Sequence, residues 1–328
     1  MDDRRRNPTS SPPIAALSPP AAAAIVDDEW VRETFARSHP IIRRLGAGAS
    51  GAVYLARDNA LHRMVALKVL APALATDPAA QERFRVEARI NARLCHPHIV
   101  PVHAIGETGG TSYLVMRYVS GMPLAYHLWR GERWPVEQVA RVLAEVASAL
   151  AYAHAEQVVH RDVKPENILL DKHTGAAMLA DFGIARGVSL NAMRRDQREA
   201  ERGFLWGTPQ FMAPEQVLGN LEIDGRADLY ALGIIGFALL AGRLPFDGGS
   251  VMDLIGQHMH APVPDLEAIT DPDARRLVPV IMRSLAKHPN DRWADGNSLR
   301  QAIIAAGMPE VRRSRRRWWH RWTPARAS

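Results

Sequence analysis

Three glycines in the run IIRRLGAGASGAVYLARD, namely Gly46, Gly48 and Gly51, constrain the fold more than any other short stretch. Glycine permits tight turns and lets backbone amides come close to a ligand. A dinucleotide-binding fold uses the same G-x-G-x-x-G spacing, but there a helix comes after the glycines. Here apolar, partly β-branched residues stand on both sides, so the segment reads as strand, turn, strand. The dinucleotide reading fails this context test.

The pattern downstream predicts two lobes. MVALKVL is a short buried strand, and residues 78–94 have helical spacing with a proline near the start. Strand-like runs at 99–105 and 112–119 come next. After Gly121 the spacing turns helical, at 135–156, 225–241, 250–259, 273–286 and 295–305. The expectation is an α+β protein with a small β-rich lobe (about 38–118) and a larger, mostly helical lobe (about 119–306). Residues 1–30 are rich in Pro and Ala, lack periodicity and are expected to be disordered. No internal repeat is evident.

Composition narrows the setting. No apolar run reaches the ~20 residues that span a bilayer; the longest, GIIGFALLAG at 233–242, reads as a buried helix. Prolines at 8, 12, 13, 19 and 20 interrupt the N-terminus, which has no signal-peptide core. A single cysteine, Cys95, excludes an internal disulfide framework and fits a reducing compartment, so a cytoplasmic location is expected. The net charge of +6 is uneven. Residues 311–328 hold seven Arg and no acid, and Trp318, Trp319 and Trp322 interleave with them. Such a tail, centred on 312–322, suits an anionic membrane surface or another acidic partner, and equally a segment that folds back or stays free. No specific nucleic-acid recognition is expected.

The chemistry concentrates in VVHRDVKPENILL, residues 158–170. Asp162 is placed to accept a hydroxyl proton, Lys164 to neutralise a phosphoryl group, and Asn167 to offer an amide oxygen to a hard metal ion. LADFGIAR supplies a second metal ligand, Asp181. Lys68 ends a buried strand, and Glu87 lies on the next helix. A pair between them would hold the ammonium against nucleotide phosphates. These are the parts that phosphoryl transfer needs.

GAGASGAV, VALK, HRDVKPEN, DFG and APE at 213–215 occur in the order and spacing of a eukaryotic-type (Hanks-type) protein kinase. The chain resembles the bacterial serine/threonine form over about residues 38–306. The resemblance implies a two-lobe, protein-kinase-like fold that binds ATP and Mg²⁺ and acts on protein Ser/Thr hydroxyls in bacterial signalling. It implies that Leu45, Gly46, Gly48, Gly51, Val53, Ala66, Met116, Val119 and Leu169 surround the nucleotide. Lys68 would hold the α and β phosphates and Glu87 would hold Lys68. Asp162 would be the base, Lys164 would contact the γ-phosphate, and Asn167 and Asp181 would bind magnesium. Glu215 would pair with Arg292, and Asp228 would tie the catalytic loop to a central helix. His160 would be packed. Lys164 and Thr208 match the serine/threonine pattern, and Gln216 is typical of bacterial members.

Some positions depart from the family. The segment between DFG and GTP contains no threonine, and Ser189 is its one hydroxyl. Either Asp196, Glu199 or Glu201 pairs with Arg161 and orders the segment without phosphate, or this charge run is a solvated face. Pro123 replaces an acid common in basic-directed relatives, although Glu166 remains. Asn91 puts a polar group one turn after Glu87. Cys95 is expected to be a buried, inert loop residue. His96 with His98, and His258 with His260, lack a third metal ligand. Many bacterial relatives continue into a membrane helix and sensor beyond this point, so sensing outside the cell is not expected of this chain. The rival reading is a pseudokinase scaffold, which usually lacks the strand Lys, the base Asp or the metal Asp; all three are present here. A small-molecule kinase of related fold is disfavoured by GTPQFMAPEQ and DLYALG.

Overall fold

The computed structural model describes residues 26–48, 51–131, 134–182, 209–219, 223–266, 269 and 271–306. Five antiparallel strands form the first lobe in the order β1-β2-β3-β5-β4. They are β1 (Ile41–Gly48), β2 (Gly51–Asp58), β3 (Arg63–Leu70), β4 (Val102–Thr108) and β5 (Thr111–Arg117). Alternation along these strands sorts side chains to two faces. Ala52, Tyr54, Ala56, Val65, Leu67, Val69 and Val115 pack on the outer face. Ala66, Leu70, Leu114 and Met116 pack on the inner face, with Phe84 and Ala88 of helix α3 (Pro78–Asn91). Both faces of β3 are therefore covered, which is why VALKVL reads as apolar on both faces rather than alternating. Lys68 interrupts that run on the inner face.

The outer face is covered by helix α1 (Asp28–Phe35), whose Val31 and Phe35 join Val26 in that cluster. The boundary expected at residue 30 thus falls inside a helix of the first lobe. Its short apolar stripe, only Val31 and Phe35, is too brief to register as periodicity. A short helix α2 (Pro72–Ala75) links β3 to α3.

The run expected as a strand from residue 99 starts instead at Val102. Pro97 and Pro101 lack the N–H that a ladder needs. The intervening loop docks on the second lobe: Val100 donates to the Leu179 carbonyl at 2.9 Å, and Leu179 donates to that of His98 at 2.8 Å. Cys95 lies in this loop and is exposed, correcting the expectation of a buried thiol. Its backbone N–H is the anchored part, bonded to the Tyr152 hydroxyl at 3.1 Å.

The second lobe is built on α5 (Val136–Ala155) and α7 (Arg226–Ala241). Every residue of α7 from Ala227 to Leu239 is buried, so it is a central helix without a solvent face. Around it lie α4 (Leu124–Trp129), α6 (Pro214–Val217), α8 (Val251–His260), α9 (Pro272–Ser284) and α10 (Gly296–Ala305). A small sheet, β6 (Gly121–Pro123), β7 (Ile168–Asp171) and β8 (Ala177–Leu179), faces the first lobe. This is the two-lobe arrangement expected from the sequence. Among the described residues no helix is long and apolar enough to cross a membrane.

Candidate active site

The segment 158–167 is held from below by one carboxylate. Asp228, 1% exposed on α7, accepts the backbone N–H of His160 and of Arg161 at 2.8 Å each, and meets His154 Nε2 at 2.8 Å. Burial opposes ionisation of Asp228, but the hydrogen bond and charge of His154 outweigh it and hold the carboxyl below its usual range. Arg161 sits at φ +63°, a conformation that an L side chain rarely adopts.

His160 is fully buried and works as a spacer. Its Nε2 bonds the Ala180 carbonyl at 3.0 Å, and its Nδ1 accepts the Asp162 N–H at 3.2 Å. Those two bonds fix the neutral tautomer with the proton on Nε2, and burial lowers its pKa in the same sense. The packed role expected for His160 is what the structure shows. Ala180 in turn donates to the Asn167 carbonyl at 2.8 Å. One imidazole and one peptide therefore set the spacing of Asp162, Asn167 and Asp181.

At the surface of this frame the polar groups converge. Lys164 Nζ lies 3.0 Å from Asp162 Oδ2. Asn167 Nδ2 donates to the Asp162 carbonyl at 2.8 Å and to its Oδ2 at 3.1 Å. Its amide oxygen is thereby turned away from Asp162. Across the cleft, Lys68 Nζ of β3 lies 3.0 Å from Asp181 Oδ1. Burial opposes ionisation of Asp181, and the Lys68 ammonium overcomes it, holding the carboxyl below its ordinary value. Asp181 also has positive φ, +56°. Glu87 is partly buried on α3.

Beside these groups lies an apolar wall. Ala66, Met116 and Val119 pack with Val53, Leu169, Met178 and Ala180 in one cluster drawn from both lobes. Leu45 differs: it is 37% exposed on the edge strand β1, where no further strand covers it. Gly46 pairs with Val53, and Gly48 with Gly51. A Cβ at Gly51 would lie 2.0 Å from the Val69 carbonyl oxygen, so packing requires that glycine. A Cβ on Gly46 or Gly48 would meet nothing within 4 Å. The missing side chains there leave backbone open to the cleft rather than to the protein's own atoms.

The platform below is fastened by a buried fork. Arg292 donates to both oxygens of Glu215, at 2.6 and 2.8 Å, and to the carbonyls of Arg226, Ala286 and Lys287. All five guanidinium N–H groups are used. Gln216 was legible only as a family marker. Its Nε2 donates to the Arg161 carbonyl at 3.1 Å, and its Oε1 accepts the Ala213 N–H at 3.0 Å, joining APE to the catalytic loop. Sequence reasoning also missed His154, which no local pattern marks. Asn91 is buried, and its Oδ1 has no hydrogen-bond partner among the described residues. His96 stacks on Tyr152, and His258 bonds the Tyr230 hydroxyl. Ser189, Asp196, Glu199, Glu201, Thr208 and the 312–322 tail lie outside the described residues.

The geometry defines a two-lobed protein whose cleft gathers two carboxylates, two ammonium groups and a carboxamide. The protein kinase domain model matches residues 40–302, and the chain belongs to that family. It is 39% identical over 283 residues to the serine/threonine-protein kinase Pkn1 of Myxococcus xanthus, covering 85% of this chain and 40% of that protein. To PknA of Mycobacterium tuberculosis it is 37% identical over 277 residues, covering 83% of this chain and 62% of the relative. The chain thus spans only part of the curated relatives it matches. The crystal structure of the Mycobacterium tuberculosis PknI kinase domain matches with a TM-score of 0.63 and 32% identity, covering 88% of this chain and all of that one. Family and fold accord with the resemblance to bacterial Hanks-type serine/threonine kinases.

Proposed function

We propose that this chain transfers the γ-phosphoryl group of ATP to serine or threonine hydroxyls of proteins in bacterial signalling. The observation that carries the reading is the convergence of Asp162, Lys164 and Asn167 opposite the Lys68–Asp181 pair, on one hydrogen-bonded frame. The donor set fits a nucleotide with magnesium: a carboxylate and an amide oxygen suit a hard cation, and open backbone at Gly46 and Gly48 suits phosphate. Asn167 and Asp181 would hold the metal, which supplies charge neutralisation on the phosphates when bound.

The rest falls to the chain's own residues. Lys68 orients the α and β phosphates, with Glu87 as its proposed partner. Val53, Ala66, Met116, Val119 and Leu169 exclude water around the base, and Leu45 closes over it from the edge strand. Asp162 accepts the hydroxyl proton, and Lys164 beside it offsets charge on the moving group. The domain division is proposed as 38–306 for the catalytic part. We further propose that the 312–322 tail meets an anionic membrane surface or another acidic partner, tested by co-sedimentation with phosphatidylserine vesicles against the free acidic polymer polyglutamate.

Phosphate transfer from labelled ATP with Mg²⁺ to a generic protein acceptor tests the central reading. Transfer should vanish in Asp162→Asn and in Lys68→Met. Equal activity in Asp162→Asn and the unsubstituted protein would sink it.

A further inference from the structure

The family match starts at residue 40, so helix α1 lies ahead of it. This helix does more than cover apolar surface. Asp28, in its first turn, accepts the Tyr54 hydroxyl at 2.6 Å, and its Oδ1 lies 3.5 Å from Arg44 Nη1. Arg44 of β1 and Tyr54 of β2 are direct cross-strand partners, and one carboxylate engages both. The next pair along the ladder is Gly46 with Val53. Asp28 therefore grips the glycine hairpin at its base.

The hairpin needs such a grip. β1 is an edge strand with mostly exposed side chains, and Ile42 and Leu45 contribute little to the core. Its register with β2 shifts between Arg44 and Gly46, immediately beyond the gripped pair. An irregularity of that kind bends a strand and re-aims the residues beyond it. Without a fixed point ahead of it, the path of β1 from Gly46 to Gly48 would be poorly determined.

Helix α1 is itself fixed from the far side. Phe35 packs edge-on against Tyr113 of β5, with ring centroids 4.9 Å apart. A Cβ on Gly109, in the β4–β5 turn, would lie 2.9 Å from the Trp30 ring, so the indole sits directly on that turn. Asp27 caps the helix, accepting the Glu29 N–H at 2.9 Å. Arg32 reaches the Ile41 carbonyl at 3.3 Å. After the helix, Asn59 donates to the carbonyls of Arg37 and Ser38. The helix thus bridges the β4–β5 side of the sheet to its β1–β2 side.

We propose that Asp28 is a positioning residue for the glycine hairpin, setting the closure of Gly46 and Gly48 over the nucleotide phosphates through Tyr54 and Arg44. The inference rests on the reading that this hairpin covers ATP. Pre-organising a binding element lowers what association must spend on ordering it, so the effect belongs in nucleotide affinity.

The test is steady-state kinetics on the full chain with varied ATP, beside hydrogen exchange of the nucleotide-free protein. Asp28→Ala should raise KM for ATP by about three- to tenfold, with kcat within about twofold, as expected for coupling between contacting groups. Asp28→Asn keeps an acceptor for Tyr54 but loses the charge facing Arg44, and should fall between. Tyr54→Phe should raise KM alone, and the Asp28→Ala/Tyr54→Phe double variant should go no further than the larger single effect. Amides 44–54 should exchange faster in Asp28→Ala without nucleotide. An unchanged KM, additive effects in the double variant, or unchanged exchange at 44–54 would overturn the proposal. Failure of the ATP reading itself would show differently, as absent turnover in the unsubstituted protein; the exchange comparison still decides whether Asp28 holds the hairpin.

Discussion

Asp228 holds the backbone N–H of His160 at 2.8 Å from a point 68 residues further along the chain. The same carboxylate holds the Arg161 N–H, so two buried donors depend on it. Asp228→Asn would turn an NH₂ group toward one of them, and an unsatisfied buried donor costs about 1–3 kcal/mol. We expect stability in urea to fall by about that amount, and kcat for phosphoryl transfer to fall at least about tenfold as the Asp162 backbone shifts. Parallel kcat and unfolding measurements on the purified variant check both.

The Glu215–Arg292 pair is buried, with the guanidinium side chain fully covered. Glu215→Ala leaves that charge uncompensated, which typically costs about 3–5 kcal/mol. Arg292→Lys should fare little better, because one ammonium cannot reproduce five donors in a fork. Denaturant unfolding should place both variants well below the unsubstituted chain. An Arg292→Met/Glu215→Leu double variant should be the more stable of the damaged forms.

Gln216→Glu removes the donor to the Arg161 carbonyl and sets a carboxylate against it. The contact reaches the catalytic loop and not the apolar wall. We therefore expect kcat to fall by about five- to tenfold, in line with about 1–1.5 kcal/mol for one hydrogen bond, with KM for ATP essentially constant.

The glycines should separate cleanly. Gly51→Ala would drive a Cβ into the Val69 carbonyl, at φ +143°, and should lower the melting temperature by several degrees. Gly48→Ala meets open space and should melt like the unsubstituted protein. Its effect should appear only as a raised KM for ATP.

His258 carries a pH dependence of stability. Burial, then the nearby Lys287 charge, lowers its pKa to about 4. Its Nδ1 meets the Tyr230 hydroxyl at 2.9 Å. In the unfolded chain a histidine titrates near about 6.5. Between these values the unfolded state binds more protons, so stability falls as pH drops from about 6.5 to about 4 and levels off below. His258→Gln keeps an acceptor and removes the titration. The difference in melting temperature between pH 7 and pH 5 should shrink in that variant; an equal difference would refute the assignment.

Much of this protein could be read from the chain because catalysis imposes local grammar. HRDVKPEN and DFG place their charged residues within a few positions, so short-range spacing was enough to suggest the proposed chemistry. The sheet could be read because alternation and the run VALKVL report covered faces. What escaped depends on distance. Gln216 meets Arg161 across 55 residues, and His154 meets Asp228 across 74. Neither partner announces the other. Helix α1 escaped for a different reason: in eight residues, Val31 and Phe35 are its buried pair, too short a stripe to show a helical period. Cys95 was expected inward because relatives carry a buried loop residue there, but here only its peptide N–H is held and the thiol is exposed.

Arg292 closes a contact with Glu215 across 77 residues, and every catalytic group of the cleft precedes it in the chain. A ribosome adds about 5–20 residues each second. For several seconds after the APE segment is made, its carboxylate waits for the Arg292 fork. The order of synthesis thus leaves this buried ion pair to be completed only when the far end of the second lobe has been made, a timing built into where one arginine falls in the sequence.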